Sequence, residues 1–274
     1  MANTQNRANF NAEELKERFN PEGSSLRRQQ LVLVELLKVF DRICNKHKIP
    51  YFLYYGTLLG AIRHDGFIPW DDDLDVAVMR QDYKRLMKIL PDELPEHIVL
   101  QSNDTDRNYF YFFAKLRDKC SFVDEGNYDR VFKERGIFID IFPIDKTRRW
   151  LHMLSEPLHG HCFKILRTGN DDDASMRKVR AITWFNRHVS FPALRFVARI
   201  TGGKTIMCDY GIPLSAEQDL NDLFPTTTHL FEGGLFSVPA DSHKVLQHLY
   251  GDYMQLPDLE HLAPHVQKLE FYDK

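Results

Sequence analysis

The sequence predicts an α+β fold in which helices pack on a mixed β-sheet, with an additional helical region attached to it. Short apolar runs with the period-two alternation of strands recur between residues 51 and 143. Segments with apolar residues at helical spacing precede these runs and separate them. The stretch that follows, over residues 147–205, is dominated by helix-like patterns. Strands and helices therefore share the first half of the chain, whereas helices dominate the middle.

Length and composition place the chain among ordinary globular proteins. It has 274 residues, 43% of them hydrophobic and 27% charged, which allows one large domain or one and a half. We divide it into an N-terminal arm expected to be flexible (1–24), a core (25–146), a helical insertion region (147–228) and a C-terminal part that completes the core domain (229–274).

Charge and hydropathy argue against several classes of protein. The net charge of −3 gives no overall basic field, which argues against a nucleic-acid partner. No apolar run approaches the length that spans a bilayer, and the N-terminus is polar, so we expect a cytoplasmic protein.

The cysteines lack Cys-x-x-Cys spacing and are expected to be reduced and mostly buried: Cys44, Cys120, Cys162 and Cys208.

The first strong element is a helix predicted over residues 25–47. Apolar side chains recur there on one face, including Leu33, Leu37 and Phe40. Cations in the last turn and Pro50 beyond it mark the end of the helix. We expect this apolar face to pack on the sheet that follows.

A strand, a glycine turn and a helix start follow one another over residues 51–62. The aromatic run 51–55 fits a strand that stops at Gly56, and Thr57 stands where an N-cap residue is expected. Such a helix start presents free backbone N–H groups and the positive end of the helix dipole, which suits a phosphate. We therefore expect Gly56 and Thr57 to hold phosphate oxygens.

Four aspartates lie within five residues just before the next apolar strand, at Asp71, Asp72, Asp73 and Asp75. Side chains alternate along a strand, so Asp73 and Asp75 share one face while Leu74 points to the other. Carboxylates this close repel each other unless a cation neutralises them. A pair of carboxylates with room for water suits Mg²⁺ or Mn²⁺, and Asp71 is a candidate ligand of a second ion. A solvated acidic turn fits the same run, and the pattern alone leaves both interpretations open.

Lys115 and Arg117 share one face of a strand predicted over residues 109–117. Two cations beside a carboxylate site could hold phosphate oxygens. A strand end that faces solvent fits the same alternation, so both interpretations stay open.

A single aspartate, Asp140, interrupts the continuous apolar run 136–143. Burying an unpaired carboxylate is strongly unfavourable, so Asp140 needs a metal ion, a proton to accept, or a turn to cap. In the first two cases we expect it to lie close to Asp73 and Asp75, on a neighbouring strand. Asp145 is expected to cap the helix that begins near residue 146.

Residues 176–200 combine basic and aromatic side chains at helical spacing. Such an amphipathic segment can lie on anionic lipid, which would give peripheral contact with the inner face of a membrane. It can equally pack its apolar side on the core, and the pattern does not separate the two.

Two strings of the sequence resemble one family of phosphotransferases. They are GTLLGAIR with IPWDDDLDV (56–63 and 68–76), and the ending that contains YGDYM (250–254). The first resembles the signature of the nucleotidyltransferase superfamily, a turn of glycine and a hydroxyl residue followed by Asp-x-Asp. The longer match resembles the LicD family, to which cholinephosphotransferases of bacterial surface glycans and fukutin-related proteins belong.

The resemblance implies a nucleotidyltransferase-like catalytic core and a reaction. A phosphoryl-linked group (phosphocholine, phosphoethanolamine or alditol phosphate) would move from a CDP-activated donor to a hydroxyl of a cell-surface glycan or its lipid-linked precursor. Mg²⁺ or Mn²⁺ would be the cofactor, and Asp140 matches the third acidic position of the superfamily. The expected catalytic residues are Asp73, Asp75 and Asp140; the metal ligands are these three and Asp71; the donor contacts are Gly56, Thr57, Arg63, Lys115 and Arg117.

Two other functions remain as alternatives. A nucleotidyltransferase would move NMP from an NTP to a small molecule or protein, and would need a pocket for a triphosphate. A non-catalytic relative would keep the fold and bind only a glycan or a partner. The intact set of Asp73, Asp75 and Asp140 argues against the second alternative.

Overall fold

The fold is α+β, as the sequence predicts, and was analysed in a computed structural model that describes residues 12–124, 126, 128–167, 171–213, 215–260 and 268–272. The α-helices are α1 (Ala12–Phe19), α2 (Ser25–Lys46), α3 (Tyr55–His64), α4 (Arg80–Glu93), α5 (Arg149–Arg167), α6 (Asp173–Phe185), α7 (Phe191–Ile200), α8 (Leu220–Leu223) and α9 (Ser242–Tyr250). The strands are β1 (Tyr51–Leu53), β2 (Asp75–Met79), β3 (Ile98–Gln101), β4 (Ala114–Asp118), β5 (Ser121–Asp124), β6 (Phe138–Thr147), β7 (Thr205–Cys208), β8 (Thr227–Phe231), β9 (Gly234–Val238) and β10 (Lys268–Phe271).

The main sheet is mixed and has β6 at its centre. Its strand order is β1-β2-β6-β4-β3, and β7 pairs with the second half of β6. The β2–β6 pair is parallel, whereas the other pairs of this sheet are antiparallel. Two ladders lie outside this sheet, the β8–β9 hairpin and the β5–β10 pair. β6 is thus flanked on both sides at the point where Asp140 lies.

Helix α2 covers the sheet as predicted. Its N-cap is Ser24, whose hydroxyl accepts a hydrogen bond from the Arg27 backbone N–H. Leu33, Leu37 and Phe40 are completely buried in the core that includes β2 and β6. Burial of a side chain of this size contributes roughly 1.5–3 kcal/mol to stability.

Two predicted helix starts are wrong, for the same physical reason. Thr57 is not an N-cap, because β1 ends at Leu53 and α3 already begins at Tyr55. Asp145 caps no helix, because pairing with β7 extends β6 to residue 147 and α5 begins at residue 149. Pairing with distant strands, which local propensity cannot foresee, sets both boundaries.

The structure also bears on the four predicted parts of the chain. Within 1–24, helix α1 is formed and Phe19 packs edge-on against Trp70, with ring centroids 5.3 Å apart; residues 1–11 lie outside the described residues. Within 147–228, α5 to α8 supply the expected helices, but β7 belongs to the main sheet. The last described strand, β10, returns to pair with β5.

The described part of the chain contains no helix with both the length and the apolarity needed to cross a bilayer. The four cysteines are free, as expected, and Cys44, Cys162 and Cys208 are buried.

Candidate active site

Asp75 and Asp140 are neighbours across the parallel β2–β6 pair. The register places Asp75 opposite Asp140, at the end where both strands begin. Residues in register on adjacent strands project to the same face of the sheet. Both are largely buried, with 7% and 9% of their surface exposed. The expected approach of carboxylates from two neighbouring strands is therefore present in the fold.

Helix α2 holds the backbone of the aspartate run that leads into β2. The side-chain amide of Gln29 donates to the Asp72 carbonyl over 2.6 Å, and that of Gln30 donates to the Asp71 carbonyl over 2.9 Å. Both glutamines are buried, which makes these hydrogen bonds costly to break. These two hydrogen bonds therefore fix the backbone of the aspartate run against α2.

The electrostatics of this cluster are unfavourable without a cation. Burial raises the pKa of Asp75 well above its usual value, and the charges of Asp73, Asp140 and Asp71 raise it further. Burial also raises the pKa of Asp140, while Lys115 acts in the opposite direction. The charges of the neighbouring carboxylates thus add to the cost of burying Asp75 in its ionised form, and Lys115 offsets only part of it.

Lys115 lies inside the site, as predicted, on the strand β4. It faces Asp140 in the β4–β6 register and is 3% exposed. Its Nζ donates to Oδ2 of Asp140 over 3.2 Å and lies 2.9 Å from Oδ1, above the ring of Phe138. Oδ1 itself accepts no hydrogen bond from the described residues. Both oxygens of Asp140 therefore lie within 3.2 Å of the Lys115 ammonium, in a buried ion pair.

Arg117 does not act as the predicted phosphate clamp. Its three guanidinium nitrogens donate to Gln101 Oε1 (2.5 Å), the Gly136 carbonyl (2.9 Å) and Asp129 Oδ2 (2.8 Å). Only 1% of its surface is exposed. Because protein partners engage all three nitrogens inside the core, the role of Arg117 is structural.

The first turn of α3 connects Gly56 and Thr57 to the aspartates. Thr57 Oγ1 accepts a hydrogen bond of 2.8 Å from the backbone N–H of Asp75. A Cβ atom on Gly56 would lie 2.8 Å from Oδ2 of Asp71, so the missing side chain makes room for this carboxylate. A carboxylate near a helix N-terminus is stabilised by the helix dipole. The phosphate-holding role of this turn stays a prediction.

Arg63 and a tyrosine that the sequence did not single out complete the surroundings. Arg63 donates to the Tyr253 carbonyl over 3.1 Å; burial lowers the pKa of Arg63, and the Asp71 charge counteracts this.

The pKa of Tyr250 is raised, mainly by burial and to a smaller extent by the charges of Asp75, Asp71 and Asp73. Tyr250 therefore lies within electrostatic reach of the cluster. The signal that could have found it is the string YGDYM, which carries part of the family resemblance.

The fit of a metal ion can be judged from the donors present. In the described ranges, no group of three or more His, Cys, Asp or Glu side chains is arranged to hold a metal ion. The four predicted ligands, Asp71, Asp73, Asp75 and Asp140, thus form no ready-made cage. Mg²⁺ typically takes only one or two protein carboxylates and completes its shell with water and substrate phosphates. The Asp75–Asp140 pair, two carboxylates in register on adjacent strands, fits that mode of binding.

Comparisons with known proteins place these residues in a family. Residues 48–164 match the family described as LicD/FKTN/FKRP, nucleotidyltransferase domain. The chain is 30% identical over 262 residues to the lipopolysaccharide cholinephosphotransferase LicD of Haemophilus influenzae, covering 88% of this chain and 96% of that protein. The chain belongs to the LicD family.

Two shorter matches agree with this assignment. This LicD family member is 45% identical over 64 residues to the protein RP689 of Rickettsia prowazekii, which covers 23% of the chain and 24% of that protein. It is 30% identical over 95 residues to the human ribitol-5-phosphate transferase FKTN, covering 35% of the chain but only 18% of FKTN. Similarity to the longer FKTN is therefore confined to a small part of it.

Proposed function

We propose that this protein is a metal-dependent phosphotransferase that moves a phosphoryl-linked group from a CDP-activated donor to a hydroxyl of a cell-surface glycan or its lipid-linked precursor. The observation that carries the proposal is the buried pair Asp75–Asp140 in register on parallel strands, with Lys115 against it. The names of two relatives support it, since one transfers cholinephosphate and the other ribitol 5-phosphate. The head group that this chain transfers is among phosphocholine, phosphoethanolamine and alditol phosphates.

The residues of the site have distinct roles in this proposal. Asp75 and Asp140 would bind Mg²⁺, with Asp73 and Asp71 adding negative charge beside it. Mg²⁺, when bound, neutralises charge on the diphosphate of the donor. If Asp75 holds the ion without Asp140, Asp140 would instead take the proton of the attacking hydroxyl. The charge of Lys115 favours the ionised form of Asp140 and so opposes the effect of burial, and Lys115 would also attract the phosphate of the donor.

A donor screen tests the reaction class. Purified protein with Mg²⁺ is incubated with CDP-choline, CDP-ethanolamine, CDP-ribitol or each NTP, together with a glycan acceptor, and the products are identified by mass spectrometry. Release of CMP with transfer of the head group supports the proposal. Release of pyrophosphate would instead identify a nucleotidyltransferase, the function that the description of the matched family also names. Metal-dependent nucleotide binding without turnover would leave a non-catalytic protein.

Gly56→Ala is expected to lower turnover about tenfold or more without unfolding the protein. The new Cβ would lie 2.8 Å from Asp71 Oδ2, which forces that carboxylate to move within the site. Displacements of about 1 Å in an active site can reduce rates by up to ~100-fold. The matched control is Gly160→Ala in α5, where a Cβ meets no atom within 4 Å. Equal turnover in the two variants would contradict a role for Asp71 in the site.

A further inference from the structure

Exposed apolar side chains are concentrated on two helical segments. Helix α6, a π-helical turn (Asn186–Ser190) and α7 follow one another without a break from residue 173 to 200, and α5 lies beside them. In the described part of the chain, nine of the fourteen exposed large apolar residues belong to these segments. They are Trp150, Met153, Leu154, Leu158, Trp184, Phe185, Val189, Phe196 and Ile200, which we call the apolar platform.

Contacts between the two segments place these side chains on neighbouring helices. The side-chain amide of Asn186 donates to the Leu158 carbonyl over 2.9 Å, and Arg148 donates to the Thr201 carbonyl. The start of α5 therefore lies at the end of α7, and the middle of α5 lies at the π-helical turn. Each segment buries a different face, as Leu151 and Phe191 show with 1% exposure each.

The exposure is too large to be explained as the edge of a core. Trp184, Phe196 and Ile200 expose 61%, 62% and 67% of their surface. Single exposed apolar residues are common in folded proteins, but a contiguous group of large ones marks an interaction surface. The packing alternative for residues 176–200 thus applies to one face of the segment, and the other face is left exposed.

The charge around the platform is strongly positive. Residues 146–204 contain twelve Lys and Arg against four Asp and Glu, a net charge of +8 in a chain whose total is −3. Several of these cations are exposed on the helices that carry the platform or on the residues that flank them: Lys146, Arg149, Arg177, Lys178, Arg199 and Lys204. A second copy of the same surface would bring a like charge against it, whereas an anionic surface would be attracted.

We propose that the apolar platform docks on an anionic lipid surface, with α5 and the 173–200 helix lying in the plane of the interface. Tryptophan and phenylalanine on one face with cations at the rim are typical of helices that bind in this way. Indole rings favour the boundary between headgroups and acyl chains. Each cation near an anionic leaflet strengthens the attraction to it. This inference goes beyond the transfer reaction and does not depend on it.

Vesicle flotation of the full chain tests the docking. The wild type is expected to float with vesicles of phosphatidylcholine and phosphatidylglycerol, to float poorly with pure phosphatidylcholine, and to be released by high salt. The double variant Trp184→Ser/Phe196→Ser is expected to lose binding at least ~100-fold, because burial of each ring in the interface favours the bound state. Leu235→Ser is the control, since Leu235 is 69% exposed but lies on the β8–β9 hairpin.

Three results would overturn the proposal. The first is failure of the folded wild type to bind anionic vesicles, and the second is equal binding by the double variant. The third is concentration-dependent self-association that the double variant abolishes, which would assign the platform to a second copy of the chain. Transfer to an acceptor free in solution, measured in parallel, separates a failure of docking from a failure of the proposed reaction, because Trp184 and Phe196 are not part of the candidate active site.

Discussion

Asp75→Asn is expected to lower turnover at least ~100-fold while making the metal-free protein more stable. The loss of turnover has the size seen when one preorganised electrostatic contact is removed from an active site. The gain in stability has a different cause. In the wild type, burial and the charges of Asp73, Asp140 and Asp71 all oppose ionisation of Asp75. A neutral amide of the same shape removes that repulsion, and we expect about 0.5–2 kcal/mol in the free energy of unfolding.

The sign of the pH dependence follows from the same shift. The pKa of Asp75 is raised in the folded state above its unfolded value, so the folded state binds more protons between the two. The wild type in EDTA is therefore expected to lose stability as pH rises from the unfolded pKa through the folded one. Below that window Asp75 is protonated in both states, and the wild type and the variant should be equally stable.

Chemical denaturation in EDTA and in Mg²⁺ measures the change in stability and its dependence on pH, and an assay of turnover measures the loss of activity. Mg²⁺ should stabilise the wild type by mass action and have little effect on the variant. Asp72→Asn removes a charge from the same run, but Asp72 precedes β2, and the carboxylates whose charges raise the pKa of Asp75 are Asp73, Asp140 and Asp71, so this variant should keep turnover near that of the wild type. An Asp75→Asn protein that is as active as the wild type, or that is less stable without metal, would refute the role assigned to Asp75.

Much of this site follows from the strand pattern of the sequence. The parity of β2 predicts the direction of Asp75, and the apolar run around Asp140 predicts a buried strand beside it. Two strands of that kind, each carrying one carboxylate, are expected to lie side by side in one sheet, and the register confirms it. The alternation of apolar and polar side chains, combined with the cost of burying an unpaired charge, was sufficient to predict that Asp75 and Asp140 are neighbours.

The errors arose where a side chain depends on partners that lie far away in the chain. Arg117 has the parity of Lys115, but its partners Gln101 and Asp129 lie on other elements, 16 and 12 residues away. The charges of the aspartates raise the pKa of Tyr250 only because the C-terminal part folds back on α3. The segment 176–200 is apolar on both faces, so periodicity could not show which face stays exposed. Tertiary contacts decide all three cases.

Arg117→Met is expected to destabilise the protein by about 3–5 kcal/mol, the cost of removing one partner from a buried ion pair. Asp129, whose side chain is 3% exposed, would lose its buried ion pair with Arg117, and the Gly136 carbonyl and Gln101 would each lose a donor. The control is Arg130→Met, since Arg130 pairs with Asp171 at the surface, with 33% and 44% of their side chains exposed. Exposed pairs contribute less than about 1 kcal/mol.

A double-mutant cycle separates the structural role of Arg117 from a catalytic one. If the ion pair dominates, Arg117→Met/Asp129→Leu should be more stable than Arg117→Met alone, because no unpaired charge is then buried. Donor KM, measured at a temperature where the variants are folded, should stay close to the wild-type value in both. A phosphate clamp would give the opposite outcome, a large rise in donor KM with an unchanged free energy of unfolding. Since all three nitrogens of Arg117 face protein partners in the core, we expect the loss in stability and not the loss in donor binding.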